Sequence, residues 1–140
     1  MATNDMNEWN QNIIKEFRQN NGIVGGMFTG APMLLLTTTG AKSGTQRTTP
    51  LVYLPDGERM LIFASKAGAP TNPDWYHNLV ANPVATAEVG SDSQQYKATV
   101  ITGEERDRLY GIQAAKMPNF AEYEKLTTRK IPVVALTRVA

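Results

Sequence analysis

The chain has 140 residues, of which 41% are hydrophobic and 19% charged, with a net charge of +1. This is the composition of one globular domain over residues 1–140, large enough to bury a core unaided. So balanced a charge argues against a broad nucleic-acid interface, and no nucleic-acid partner is expected. There is no cysteine and one histidine, His77. Disulfides, thiolate metal sites, Cys nucleophiles and multi-His centres are therefore excluded, and a His-based triad has no support.

Met1 to Asn21 is polar, without a signal-peptide apolar region, and no run approaches the ~20 apolar residues that span a bilayer. A cytoplasmic protein with no stable membrane anchor is the expectation. Asp5 and Glu8 stand in capping-box spacing, and Trp9, Ile13, Ile14 and Phe17 then fall on one helical face. The spacing predicts an amphipathic helix within residues 1–22, ending near Asn20 at the stop signal Asn20-Asn21-Gly22. Its polar face is not rich in Lys and Arg, so packing on its own domain is favoured over a membrane surface. Packing on a second chain, as a homodimer, stays open.

Met33 to Thr39 and Arg47 to Leu54 read as strands, antiparallel because their link is too short for a parallel crossover. Pro50 demands a sheet edge or a bulge. After the turn Pro55-Asp56-Gly57, Arg59 to Ser65 is a third strand, central because Met60-Leu61-Ile62-Phe63 is apolar on both faces. A loop of breakers, Lys66 to Thr71, leads to a helix with Asn72 as N-cap, Pro73 at its first position and Asp74 in its first turn; Asn82-Pro83 closes it. Val84 to Val89 and Gln95 to Thr102 are two more strands joined through Gly90 to Ser93. Thr102 and Glu105, again in capping-box spacing, open a long helix to about Ala115. Pro118 opens a short helix holding Phe120 and Tyr123, and Ile131 to Thr137 is a last, β-branched strand. Six strands, mostly antiparallel, with helices before and between them, predict an α+β fold: a small antiparallel barrel with helices outside it.

The link between the first two strands, Gly40-Ala41-Lys42-Ser43-Gly44-Thr45-Gln46-Arg47, gathers cations, hydroxyls and glycines. Glycine lets a backbone turn sharply and lets a ligand approach. Successive N–H groups in such a turn can form an anion-binding concavity. Lys42 adds a point charge and Arg47 a planar fork for phosphate or carboxylate. The order is not a Walker A motif, since Lys42-Ser43 precedes Gly44, nor a Rossmann fingerprint, since no helix follows. Ser65 and Lys66 end the third strand at the rim where the second begins, so Lys66 joins Arg47 there. Such a rim suits a polyanionic ligand, and equally a solvated turn. Further on, Trp75 and Tyr76 beside Asn78 either pack on a planar ring or fasten their helix to the barrel. His77 reads as a surface or packing residue, with no base partner in view.

Together these blocks resemble the deazaflavin-dependent nitroreductase family, split β-barrel oxidoreductases of actinobacteria that use coenzyme F420. The matching text is Leu35-Leu36-Thr37-Thr38-Thr39-Gly40, Lys42-Ser43-Gly44, Arg47 with Pro50-Leu51, Ala64-Ser65-Lys66-Ala67-Gly68, Asn72-Pro73, Trp75-Tyr76, Asn78-Leu79 and Ala81-Asn82-Pro83. Glu104-Glu105-Arg106 and Ile131-Pro132-Val133-Val134 extend it to nearly the whole chain after residue 30. The resemblance implies a six-stranded split barrel of the FMN-binding split-barrel-like type, with reduced F420 as hydride donor. It also implies that Ala41, Lys42, Ser43, Arg47 and Lys66 hold the F420 phosphate and the start of its oligoglutamate tail. Thr48, Thr49, Pro50, Leu51 and Val52, with Phe63, Ala64, Ser65 and Lys66, would line the deazaflavin. Asp74, Trp75, Tyr76, His77 and Asn78 would stand at its ring end or ribityl chain.

In nitroimidazole-reducing members of that family, a Ser at the position of Ser65 and tyrosines of the late aromatic segment shape the substrate pocket. Here Tyr123 matches one tyrosine, Phe120 stands where another usually sits, and a residue before Pro118 is missing. Ser65 and Tyr123 are the implied catalytic residues. Ser65, or an N–H near it, would bond the oxygen that turns anionic; Tyr123 would orient substrate or give a proton. The implied activity is F420H2-dependent reduction of small electron-poor acceptors: enones, lactones, quinones or nitro compounds. The alternatives are an FMN-dependent split-barrel oxidoreductase and a non-catalytic F420 carrier or sensor.

Overall fold

Neighbouring strands pair antiparallel, and the order in which they do so shapes the molecule. The computed structural model describes residues 5–26 and 30–139, with side chains from Glu8 onward in the first helix. In chain order the elements are α1 (Asp5–Gln19), β1 (Met33–Thr39), β2 (Gln46–Val52), β3 (Leu54–Asp56), β4 (Arg59–Phe63), α2 (Asp74–Ala81), β5 (Val84–Val89), β6 (Asp92–Ile101), α3 (Gly103–Lys116), α4 (Asn119–Leu126) and β7 (Val133–Arg138). The strands make one seven-stranded sheet in the order β2-β1-β5-β6-β7-β4-β3, antiparallel at every pairing.

β2 and β3 stand at opposite ends of that order, yet Tyr53 alone separates them in the chain. One residue reaches at most ~3.6 Å. The sheet must therefore curl until its ends nearly meet, which is a barrel split along one seam. The Tyr53 N–H leaves the ladder to donate to the Pro32 carbonyl at 3.0 Å, ending β2 and freeing the chain to pair with β4. The expected strand Arg47–Leu54 is thus two strands, and the expected six strands are seven. β2 bonds β1 alone, an edge position that tolerates Pro50 opposite Leu35.

Side-chain alternation sorts the apolar residues into separate cores. Leu34, Leu36, Ile62, Val134 and Leu136 pack together inside the barrel with Trp75 and Leu79 of α2. On the other face, Met33 and Leu35 meet Ile13, Ile14 and Phe17 of α1. Leu61, Phe63, Val133 and Ala135 meet Leu109 and Tyr110 of α3 and Phe120 of α4. β4 and β7 thus carry core on both faces, in keeping with the central place expected of β4.

Several local expectations are corrected. Trp9, expected on the buried stripe of α1, is 48% exposed, because that helix meets the sheet only from Ile13 on. The Asp5 side chain of the expected capping box lies outside the described residues. β4 stops at Phe63, because Ser65 turns helical and Lys66, Ala67 and Gly68 follow with positive φ. Pro73, not Asn72, caps α2, since the Asn72 side-chain oxygen accepts from Arg129 instead. Thr102 caps α3 without a side-chain bond, and Glu105 accepts from Arg59 Nη2 at 2.9 Å rather than closing a capping box. β6 begins at Asp92, so Gly90 and Ser91 alone turn the chain from β5.

Candidate functional site

The β1–β2 turn holds its shape by its own backbone. The Gly40 N–H donates to the Thr45 carbonyl at 2.8 Å and the Gly44 N–H to the Gly40 carbonyl at 3.0 Å. Ser43 Oγ accepts from the Thr45 N–H at 3.1 Å. A Cβ at Gly40 would lie 2.6 Å from Ser43 Oγ, so a larger residue there would have to turn that hydroxyl away from the Thr45 N–H. Asn78 of α2 then ties the turn down: its Oδ1 accepts from the Ala41 N–H at 3.0 Å and its Nδ2 donates to Thr38 Oγ1 at 3.1 Å. Asn82 Nδ2 adds a bond to the Thr39 carbonyl at 3.4 Å. Three hydrogen bonds therefore join the β1 end and its turn to α2.

A groove runs from this turn into the molecule as a chain of cavities. The outer one, about 800 Å³, is lined by Asn10, Gln11, Ile14 and Arg18 of α1, by Thr45 to Thr49, by Lys66 and Ala67, and by Asp74, Trp75 and Asn78 of α2. The inner one, about 260 Å³, is walled by Pro50, Leu51, Val52, Phe63, Trp75 and Phe120, with Ser65, Lys66, Asn119 and Tyr123 as its polar members. The two share Lys66, Ala67, Pro73 and Trp75. A third, about 390 Å³, continues past Val52 and Met117 between Gly30–Pro32 and Gln113 and Lys116 of α3.

The groove collects residues from distant parts of the chain. Arg47 and Lys66 both line the outer cavity, though β2 and β4 do not pair; the curl of the sheet, not strand adjacency, brings them together. Neither forms an ion pair among the described residues, and Lys66 Nζ donates only to Thr71 Oγ1 at 3.3 Å. Arg18, the third cation there, is held by Glu88 through bonds of 3.1 and 2.8 Å. Asp74 is the one acidic side chain among the residues lining that cavity. Electrostatically the wall is suited to an anion, with hydroxyls of Thr48 and Thr49 beside the cations.

Other residues singled out by the sequence stand elsewhere. Ala41, Lys42 and Ser43 lie on the exposed turn and line none of these cavities. Ala64 is buried behind the inner wall, its N–H donating to Pro132. Tyr76 packs against the barrel core and its ring meets His77 edge-on at 5.7 Å, so neither faces the groove. Trp75 packs in the barrel core, fastening its helix as one reading had it, and also lines the two cavities. Three features were invisible in the sequence. They are the α1 wall, the Asn78 tie, and Arg129, which bonds the segment leading to α2. Only fold-level contacts mark them, since each partner lies tens of residues away.

The fold is a curled, split antiparallel barrel, and its groove, cationic outside and apolar inside, suits a flat ligand with an anionic end. A family model described as F420H(2)-dependent quinone reductase matches residues 9–138, and the chain belongs to that family. It is 44% identical over 126 residues to the F420H(2)-dependent quinone reductase Rv1261c of Mycobacterium tuberculosis, covering 87% of this chain and 85% of the relative. Among solved structures, it resembles an F420-H2 dependent reductase, FDR-A, with a TM-score of 0.68 and 38% identity over 75% of this chain and 93% of the other. It also resembles a chain described as a domain-swapped dimer, with a TM-score of 0.70 and 32% identity over 94% and 99% of the two. The protein is thus an oxidoreductase with reduced F420 as its cofactor. The donor set agrees: Arg47 and Lys66, in no ion pair among the described residues, suit an acidic tail, and the neighbouring apolar walls suit a flat ring.

Proposed function

We propose that this protein reduces quinones with F420H2, as a single domain over residues 1–140 that binds the cofactor in the groove just described. The observation that carries the proposal is the division of that groove: cations and hydroxyls outside, apolar walls with one serine and one tyrosine inside, meeting at Lys66 and Trp75. Arg47 and Lys66, with Thr48 and Thr49, would hold the phosphate and first carboxylates. Phe63, Trp75 and Pro50 to Val52 would flank the ring. Lys42 would act at longer range from the exposed turn.

Reduced F420, when bound, supplies a hydride and leaves the protein to bind, orient and protonate. Placing the acceptor against the ring is the main contribution, since orientation alone can lower a barrier by several kcal/mol, with ~7–11 as the upper range. Ser65 has no hydrogen-bond partner for its hydroxyl among the described residues, so it is available to the acceptor oxygen that gains negative charge. Tyr123 lies in the same cavity, and its oxygen accepts from Asn119 Nδ2 at 2.9 Å. The phenolic proton is therefore left to donate to substrate. The family's description and the relatives' names support the quinone as acceptor. A homodimer belongs to the same reading, supported by the domain-swapped dimer of one solved relative.

Titration with F420 and with FMN, followed by tryptophan fluorescence, tests the cofactor; stopped-flow mixing of the F420H2 complex with menadione tests the reaction. Tight binding of F420 alone and protein-dependent oxidation by menadione are the expected results. FMN binding without a response to F420 would make the protein an FMN enzyme. Bound F420H2 that no acceptor oxidises would make it a carrier. Turnover of enones or nitro compounds without quinones would overturn the acceptor class.

A further inference from the structure

Resting on the reading of the groove as the F420 site, we infer that Arg129 is a positioning residue for it. Its guanidinium holds the Ser65–Gly68 turn in the left-handed shape that brings Ser65 and Lys66 to the cavities. Arg129 is half-buried in the link between α4 and β7 and lines none of the cavities. All its side-chain hydrogen bonds go to the segment between β4 and α2. Nε donates to the Ala69 carbonyl at 3.0 Å and Nη1 to Asn72 Oδ1 at 2.6 Å. Nη2 donates to the carbonyls of Ala64 and Ser65 at 3.1 and 3.0 Å.

The segment needs such a hold. Lys66 and Ala67 take φ of +47° and +52°, a region that residues bearing a Cβ disfavour, and Gly68 follows at +84°. The turn's own bonds, Gly68 N–H to Ser65 at 2.9 Å and Ala69 N–H to Lys66 at 3.0 Å, close it locally. Gly68 seats it against α4 so tightly that a Cβ would lie 2.9 Å from Leu126 Cβ. The Ser65 carbonyl is thus shared between the Gly68 N–H and Arg129, while the Ala64 carbonyl, just before the turn, is held among the described residues by Arg129 alone. Arg129 thereby captures two successive carbonyls. A trans peptide carries its C=O and N–H on opposite sides, so the N–H groups of Ser65 and Lys66 are turned away from Arg129. A planar guanidinium with five donors can serve four acceptors at once; an ammonium on a flexible stem cannot.

The test compares the wild type with Arg129→Lys and Arg129→Ala, well below the unfolding midpoint of each, with F420 itself as the probe. Equilibrium binding is read alongside the midpoint and the separate values of KM for F420H2 and kcat with menadione. Arg129→Ala should fold and bind F420 at least ~10-fold more weakly, as expected for loss of charge-assisted bonds. Arg129→Lys should recover the midpoint but not the affinity, and millimolar guanidinium should strengthen F420 binding to the alanine variant alone. Affinities within about twofold of wild type in the folded variants, or full recovery of affinity by lysine, would overturn the role. So would unfolding of both variants, which would make Arg129 part of the scaffold. A wild type that ignores F420 would instead overturn the functional reading on which the inference rests.

Discussion

Lys42 and Arg47 are five residues apart in one basic turn, yet their surroundings differ. Both are exposed, but Arg47 lines the outer cavity and Lys42 lines none of the cavities. A cation contributes to an ion contact in proportion to how closely it approaches and how little water screens it. Arg47→Ala should therefore weaken F420 binding roughly 10-fold or more and reduce its dependence on salt, whereas Lys42→Ala should change it less than about threefold. Isothermal titration at two ionic strengths checks both, and equal losses for the two variants would return Lys42 to the binding wall. At this scale the sequence was a fair guide to chemistry and a poor one to position. The turn's glycines, hydroxyls and charges were all legible. That the Ala41 N–H is spent on Asn78 was not, because the partner lies on another element.

α1 belongs to the site as well as to the core. Ile13, Ile14 and Phe17 fasten it to Met33 and Leu35, while Asn10, Gln11 and Arg18 face the outer cavity. Its C-terminal end is pinned by the Arg18–Glu88 pair and by Gly22, where a Cβ would lie 2.7 Å from Gly90 Cα. Removing residues 1–22 should expose the apolar face of β1 and open one wall of the cavity. The truncated protein should show a lower thermal midpoint and F420 binding weakened several-fold, measured by calorimetry and fluorescence. Unchanged F420 affinity in a folded truncation would show that α1 only covers the sheet. The helix was readable from its period of apolar residues. Its second duty was not, because its polar face looks like any solvated surface.

The whole molecule's stability should carry a mark of the core beneath α3 and α4. Tyr110 is buried there, its hydroxyl donates to the Phe120 carbonyl at 2.7 Å, and the Arg106 guanidinium lies 4.6 Å from its ring centre. Burial, with the Glu124 charge adding to it, pushes the phenol up to about 12. In the unfolded chain a tyrosine ionises near pH ~10, so the folded form loses protons later than the unfolded one. Stability from this group is complete below about pH 10 and is lost as pH rises from there toward 12. Urea midpoints should accordingly fall between about pH 9.5 and 11.5, and Tyr110→Phe should flatten that fall while losing ~1 kcal/mol at neutral pH, where the bond to the Phe120 carbonyl is lost. An equal alkaline fall in the phenylalanine variant would assign it to other groups.

The sequence by itself determined the helices, the strands apart from the break between β2 and β3, the need of Pro50 for an edge or a bulge, the central place of β4 and the family. Those follow from local periodicity, turn chemistry and short motifs, all of which act within a few residues. Tertiary structure alone decided that a single residue, Tyr53, separates the two ends of the sheet, and hence that the barrel closes on itself. That closure brings Arg47 to Lys66, sets α1 over the cavity, and places Arg129 behind the turn that carries Ser65. The physical reason is distance along the chain. Contacts between residues dozens of positions apart depend on how the whole sheet curls, and no local pattern records that curvature.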